Sequence, residues 1–351
     1  MNIAIFTPTI TAGGAEKQAV ILASCMAANH HVSFFVFWGD LPKEQKHIKA
    51  LNESGVELIS LKGSTFKKII ILTRLIKDKK IEVAFNFLTI CDGVCCFAEK
   101  IAGIQKIFNN IRSSRLPWWK ETIERFCSNH WATKTIFNSY CGAEYFGSRG
   151  FSDNKLIVIH NCFQKIDSFH ERAEKEAITI ITVGRFDSAK DYETSIKAVA
   201  NARLCCPSIH YKIVGHGALE TSVRKWVSQY GIQDITEILI NPSNIPDLLM
   251  DADIFLMTSV YEGTSNAVME ALNASLPVVC TNVGDNAFLV KDGVNGFVHT
   301  VADVNSISSS LIKLIQDYSL RILFGRNGNK NLKENFSEKS FTQQYLSLME
   351  N

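Results

Sequence analysis

The chain has 351 residues, 46% of them hydrophobic and 21% charged, with a formal net charge of +2. That is long enough for two domains with separate cores and ordinary for a globular protein, while no apolar run reaches the ~18 residues needed to span a bilayer. The N-terminal MNIAIFTPTI has neither a basic n-region nor a long apolar core, so no secretion signal is expected.

In chain order, Ile3 to Phe6 reads as a strand, and TAGGAEK opens a helix that runs through Ala28. Further strand candidates are Val32 to Trp38, Val56 to Leu61, Val83 to Phe87, Lys106 to Ile111, Thr133 to Phe137 and Leu156 to Ile159, with helical stretches between them. Residues 160–177 are polar, lose the pattern and read as a connection between domains. The alternation then restarts with Ile178 to Val183, His210 to Val214, Glu237 to Ile240, Ile254 to Thr258 and Pro277 to Val283. Three helical stretches follow Gly296 and the run FVHTV. Such alternation predicts two doubly wound α/β domains, and ligands of that class bind beyond the carboxyl ends of the strands.

The net charge is unevenly spread. Residues 1–163 carry 20 Lys+Arg against 13 Asp+Glu, net +7, and residues 164–351 carry 17 against 22, net −5. A basic half hints at an anionic partner surface, nucleic acid or membrane. The ten cysteines contain no C-x-x-C and read as reduced cytoplasmic thiols, and the nine histidines show no metal-ligand spacing, so no metal is expected.

Chemistry concentrates in EGTSNAVMEA, residues 262–271. Gly263 breaks the chain after an apolar strand, Thr264, Ser265 and Asn266 are cap-type residues, and Asn266 to Leu272 reads as helix. Free N–H groups at such a terminus attract phosphate, and the carboxylates Glu262 and Glu270 accept from sugar hydroxyls. On spacing alone, a loop glutamate and a solvated helix charge are the simpler reading of the pair. Arg185 and Lys190, just past the strand ending at Val183, suit a diphosphate or are solvated loop charges. VGHGALE, with Gly215, lacks the third glycine of a dinucleotide fingerprint. Gly13 and Gly14 either let the backbone approach a phosphate or form an ordinary tight turn, and Glu16 complements the helix dipole.

Taken together, GGAE (13–16), VGRF (183–186) with Lys190, VGHG (214–217), EGTSNAVMEAL (262–272), NVGDN (282–286) and DGVNGF (292–297) resemble the retaining glycosyltransferases of family 4, glycosyl transferases group 1, of the bacterial surface-polysaccharide type. The resemblance implies the GT-B fold, with two doubly wound Rossmann-like domains facing a central cleft. Residues 1–163 would bind the acceptor, residues 164–337 the nucleotide-sugar, and a C-terminal helix near 338–351 would return to the first domain. It further implies that Arg185 and Lys190 neutralise the donor diphosphate, that Glu262 lies by the donor sugar and that Glu270 takes the ribose hydroxyls. Asn266 and Ala267 would offer backbone N–H groups to phosphate. Gly215, Gly263, Thr264 and Ser265 complete the implied donor set, with Gly13 and Gly14 approaching from the first domain. Family members usually need no metal, so no cofactor is expected and the nucleotide-sugar, a UDP-sugar in preference to a GDP-sugar, is a substrate. The implied reaction moves a hexose or N-acetylhexosamine with retention, on one face, Glu262 supporting the donor rather than attacking it. One departure is IFNNIRSSR, which places Asn110 and Arg112 where many relatives carry a histidine; Arg112 would then serve an acceptor phosphate.

On the acceptor side, residues 67–80 read as an amphipathic helix packed on the sheet. Trp118 and Trp119, flanked by Arg115 and Lys120, suit either an interfacial membrane contact or core packing. A basic first domain with this pair fits an acceptor on a polyprenyl diphosphate, in O-antigen, capsule or exopolysaccharide synthesis, with the protein cytoplasmic or peripheral on the inner face of a bacterial membrane. Soluble glycan acceptors also occur in the family. No nucleic-acid motif is present, so nucleic acid is not expected as a partner. The alternatives are a sugar-nucleotide epimerase of the same fold and a non-catalytic sugar-binding protein.

Overall fold

The computed structural model describes residues 1–11, 13–113 and 115–350, and the chain divides into two units. The first holds residues 1–162 together with the last helix, Glu338–Glu350, and the second runs Phe163–Ser337.

Seven strands form the first sheet: β1 (Asn2–Thr7), β2 (His31–Val36), β3 (Glu57–Ser60), β4 (Val83–Phe87), β5 (Lys106–Ile111), β6 (Lys134–Phe137) and β7 (Leu156–Val158). Their order is β3-β2-β1-β4-β5-β6-β7, and every pairing is parallel. Because side chains alternate faces and helices cover both, β1 is apolar from Ile3 to Phe6. Ile3 and Ile5 enter one core with Phe34, Val83 and Phe85, while Ala4 and Phe6 enter the other with Phe35 and Ala84. The last helix sinks Phe341, Tyr345 and Met349 into the first of these cores beside the helix Gly14–Met26. Gln18 holds the point where the chain leaves the unit, its side-chain amide exchanging two 3.0 Å hydrogen bonds with the Cys162 backbone.

The second unit repeats the plan with β8 (Ile178–Val183), β9 (Ile209–Gly215), β10 (Thr236–Ile240), β11 (Ile254–Met257), β12 (Val278–Thr281) and β13 (Gly296–His299). All pairs are parallel, in the order β10-β9-β8-β11-β12-β13. Both halves are therefore doubly wound parallel sheets, as the alternation predicts. β12 is shorter than the sequence suggests. Pro277 has no N–H to give a ladder, and it contributes only its carbonyl, which accepts from Phe255 N at 3.0 Å.

Part of the segment that reads as a connection belongs to the second unit. Arg172 is buried, and its guanidinium donates to the carbonyls of Ala252, Ser275 (3.0 Å), Ala274 (2.7 Å) and Leu249 (3.2 Å). These carbonyls lie where chain segments end without a ladder partner, so one planar cation satisfies several orphan acceptors.

Three acids of the first unit are at most 1% exposed. Asp92 lies in a π-helical turn at Cys91–Cys95, Glu99 in the helix Cys96–Ala102 and Glu124 in the helix Trp118–His130. Burial raises Glu99 from the usual glutamate value to about 8 and Glu124 to about 7, and holds Asp92 well above the carboxylate range, where the neighbouring Glu124 pushes it further. Asn86 Nδ2 donates to Glu99 Oε2 at 3.0 Å. A raised folded value means that the acid stays protonated in the fold while the unfolded chain ionises. The stability it contributes is fully present below the unfolded value and is lost as pH rises toward the folded one. Urea unfolding of the wild-type protein should therefore show higher stability at about pH 5 than at about pH 8. Glu99→Gln, which keeps an acceptor for Asn86, should flatten that difference; an unchanged slope would remove Glu99 from the account.

Candidate functional site

The order of the second sheet reverses between β8 and β11, so the loops after these strands begin side by side at the carboxyl ends where ligands of such sheets bind. After β8, Gly184 leads to Arg185, a short 3₁₀ turn at Ser188–Lys190, and the helix Tyr192–Cys205. Asp191 takes φ +44 and caps that helix, accepting from Thr194 N at 3.3 Å and from Thr194 Oγ1 at 2.6 Å. Thr258 Oγ1, from the loop after β11, donates to the Asp191 carbonyl at 2.8 Å, and Val260 N donates to Ala189 O at 2.8 Å. The two loops are thus bonded to each other directly.

That bonding brings Lys190 against Glu262. Their side chains are 17% and 13% exposed, and Lys190 Nζ forms an ion pair with Glu262 Oε1. Ser259 Oγ donates to the same carboxylate oxygen at 2.8 Å, and Thr281 Oγ1, at the end of β12, donates to Ser259 O at 2.6 Å. Two largely desolvated charges of opposite sign compensate each other here, and removing one would strand its partner. Lys190 has three N–H donors, so its bond to Glu262 leaves others for a ligand. Arg185 points into solvent, 75% exposed, with Asp187 at 3.2 Å.

Past Glu262, Gly263 is open, and Ser265 caps the helix Asn266–Asn273 by accepting from Val268 N at 3.4 Å. Asn266 and Ala267 therefore occupy the first turn, where backbone N–H groups have no helical acceptor. Thr264 lies half-buried in the connecting loop and Glu270 half-buried one turn into the helix. Gly284 supports this loop from below at φ +55. A Cβ there would come within 2.4 Å of Gly263 O and 2.5 Å of Glu262 O, and Asp285 N donates to Gly263 O at 3.0 Å. Gly215 has a comparable task beside β8, since a Cβ on it would stand 1.8 Å from Gly184 O. Its bareness lets two strand-end loops touch.

The sequence-selected residues of the first unit have different surroundings. Gly13 caps the helix Gly14–Met26, and a Cβ on Gly13 would strike the Glu16 carboxylate, whereas Gly14 is open. Glu16 accepts from Thr9 Oγ1 at 2.8 Å and Thr11 Oγ1 at 3.2 Å, so it ties down the loop as well as complementing the helix dipole. Asn110 is fully buried, donating to Asn86 O at 2.9 Å and accepting from Tyr345 of the last helix at 2.6 Å. The terminal nitrogens of Arg112 donate to Ile159 O, Asn161 Oδ1, Asn110 Oδ1 and Tyr345 Oη. This pair locks the last helix to β5. Trp118 and Trp119 are both exposed, and Lys120 Nζ lies 5.4 Å from the Trp119 ring centre.

Ser259 and Gly284 were not singled out as site residues by sequence reasoning. NVGDN carried a visible signal, a glycine between cap-type residues after a strand, whereas Ser259 had none.

Residues 163–331 match the family model described as glycosyl transferases group 1. A relative from Campylobacter jejuni, named GalNAc-alpha-(1->4)-GalNAc-alpha-(1->3)-diNAcBac-PP-undecaprenol alpha-1,4-N-acetyl-D-galactosaminyltransferase, is 24% identical over 99% of this chain and 98% of its own. The lipopolysaccharide core biosynthesis glycosyltransferase LpsE of Rhizobium meliloti is 25% identical over half of each chain, and the chain spans about half the length of several other curated relatives it matches. Among solved structures, Anabaena Alr3699/HepE in complex with UDP has a TM-score of 0.79 at 17% identity, covering 100% of both chains. The lipopolysaccharide outer core galactosyltransferase WaaB has a TM-score of 0.76 at 16% identity, covering 99% of both.

Two glycine replacements separate the physical effects at these loops. Gly293→Ala, at φ +69 in open space, should cost about 1–2 kcal/mol from backbone conformation alone. Gly284→Ala adds a collision with the Glu262 loop and should cost about 1–3 kcal/mol more. Equal losses in urea unfolding would mean that the loop yields without strain.

Proposed function

We propose that this chain, a glycosyltransferase of GT-B fold whose second unit is a glycosyl transferases group 1 domain, moves a hexose or N-acetylhexosamine from a UDP-sugar to a lipid-linked glycan with retention at the anomeric carbon. The observation that carries the reading is the Lys190–Glu262 pair at the sheet's reversal point, beside the free first turn of the helix Asn266–Asn273. A nucleoside diphosphate needs cations and N–H donors, a sugar needs a fixed acceptor of hydroxyl hydrogen bonds, and this short stretch of surface offers both.

In this reading Lys190 remains bonded to Glu262 and turns its other N–H groups to the diphosphate, while the exposed Arg185 folds over it from the solvent side. The N–H groups of Asn266 and Ala267 meet a phosphate oxygen, and Glu270 accepts from the ribose hydroxyls. Glu262, oriented by Ser259, accepts from the donor sugar. The bond from the anomeric carbon to the phosphate oxygen breaks as the bond to the acceptor oxygen forms on the same face. The acceptor's proton passes to the departing phosphate. Charge that grows on the diphosphate is met by groups already in place, which is where such stabilisation is most effective.

A UDP-sugar is favoured because a similarly folded protein is seen with UDP. A lipid-diphosphate acceptor is favoured because the Campylobacter relative's name specifies one and an Escherichia coli relative is named UDP-Gal:alpha-D-GlcNAc-diphosphoundecaprenol alpha-1,3-galactosyltransferase. The product would then be a unit of a bacterial surface polysaccharide, assembled at the cytoplasmic face of a membrane.

Glu262→Gln, Lys190→Ala and Arg185→Ala should each lower sugar transfer, the first two by about a hundred-fold or more. Since Lys190 and Glu262 act as a pair, the double variant should lose little beyond the worse single one. Near-wild-type transfer by all three single variants would overturn the assignment. Thermal unfolding with a panel of nucleotides identifies the donor base, because a ligand of the folded state raises the melting temperature.

A further inference from the structure

The helix Trp118–His130 has its polarity inverted. The side chains it buries are Glu121, Glu124, Cys127 and Ser128, while Trp118, Trp119, Ile123 and Phe126 lie exposed. A surface helix ordinarily does the reverse. Its inward carboxylates have structural explanations: Glu121 pairs with Arg149, and Glu124 lies against Asp92. The outward side chains make some contact with neighbours, Phe126 lying 5.1 Å from the Trp131 ring, yet Trp118, Trp119 and Phe126 stay exposed.

Those residues continue onto neighbouring elements. A groove of about 540 Å³ is walled by apolar atoms of Ile69, Val94, Phe97, Ile123, Phe126 and Trp131. Ile69 comes from the helix Thr65–Asp78, Phe97 from Cys96–Ala102, and Ile123 from the inverted helix. Phe66 and Ile70 extend the apolar surface along the first of these helices, at 74% and 40% exposed. Contiguous exposed apolar surface of this kind marks a docking face.

The exposed charges on the helices around the groove are predominantly basic. Across these three helices the acids are Asp78, Glu99, Glu121 and Glu124, and only Asp78 reaches the surface. The exposed charges are otherwise basic. Lys67 and Arg74 lie one turn either side of Ile70, Lys100 lies one turn from Phe97, and Lys120, which is half-buried, lies one turn from Ile123. Burial of the other three carboxylates leaves Asp78 as the one exposed acid on these three helices to balance the basic residues.

We propose that this face of the first unit docks onto an anionic lipid bilayer, its groove filled by lipid chains and its rim of Lys67, Arg74, Lys100 and Lys120 held by headgroup phosphates. The charge pattern selects this occupant. A second copy of the chain would bring like charge against like, whereas an anionic leaflet supplies both the apolar interior and the counter-charge. The proposal deepens the lipid-linked acceptor reading and rests on it for the presence of a membrane near the reaction, but the groove residues are separate from the donor site.

The test is co-sedimentation of the full chain with phosphatidylcholine vesicles, with and without phosphatidylglycerol. Binding should require phosphatidylglycerol and weaken with salt. Ile123→Ser with Phe126→Ser should reduce partitioning about ten-fold or more. Lys67→Glu and Lys100→Glu, at fully solvated positions that leave the core untouched, should each reduce it about five-fold or more. Sedimentation with neutral vesicles alone, or sedimentation unchanged by both sets of variants, would overturn the proposal. So would a dimer in light scattering that the Ile123 and Phe126 changes dissolve. Stabilisation by UDP is measured in parallel. Its persistence without vesicle binding sinks the docking face and spares the transferase, and its absence with vesicle binding intact does the opposite.

Discussion

A lysine and a glutamate that are both largely out of water must meet across the reversal point of the second sheet, and the surrounding loops are arranged around that demand. Either charge alone at such depth would be costly, so the pair forms only if the loops after β8 and β11 hold their positions. Side-chain and backbone hydrogen bonds through Thr258, Val260 and Thr281 fix them. Two glycines, Gly215 and Gly284, allow the backbones to approach as closely as that positioning requires. The sheet determines where the loops begin, and the pair determines how they must finish.

This arrangement divides labour between rigidity and reach. Lys190 and Glu262 are held before any ligand arrives, so little ordering remains for them on binding. Arg185 keeps its freedom in solvent, one loop residue away from the same strand end. The proposed site thus combines a fixed inner pair with an exposed outer cation.

Much of the fold is legible in the chain because parallel strands covered on both faces must be apolar runs of a recognisable length. Ile3 to Phe6 and Ile178 to Val183 have no other good reading, and the glutamate-bearing loop announces itself by Gly263 and the cap-type residues after it. What stayed hidden depends on partners distant in sequence. Asn110 and Arg112 look available for a ligand until Tyr345 arrives from the last helix to engage both. Ser259 gains meaning only from Glu262 and Thr281, which reach it through tertiary structure. The inverted helix is legible only in part. A pattern of acids and aromatics shows that a helix has two faces, and Trp118 and Trp119 leave both an interfacial and a core placement open. Here the carboxylates found partners in the interior first.

The return of the last helix has a consequence for how the molecule comes into being. Phe341, Tyr345 and Met349 are part of the core built on β1, β4 and β5, yet in the chain they follow the whole of the second unit. The second unit, whose residues are contiguous, can complete its core during translation. The first unit is begun earlier and finished later, with an open apolar flank beside the helix Gly14–Met26 until the helix Glu338–Glu350 has been made. Order of synthesis and order of completion are thus reversed between the two units, and the second unit is the one that matures first.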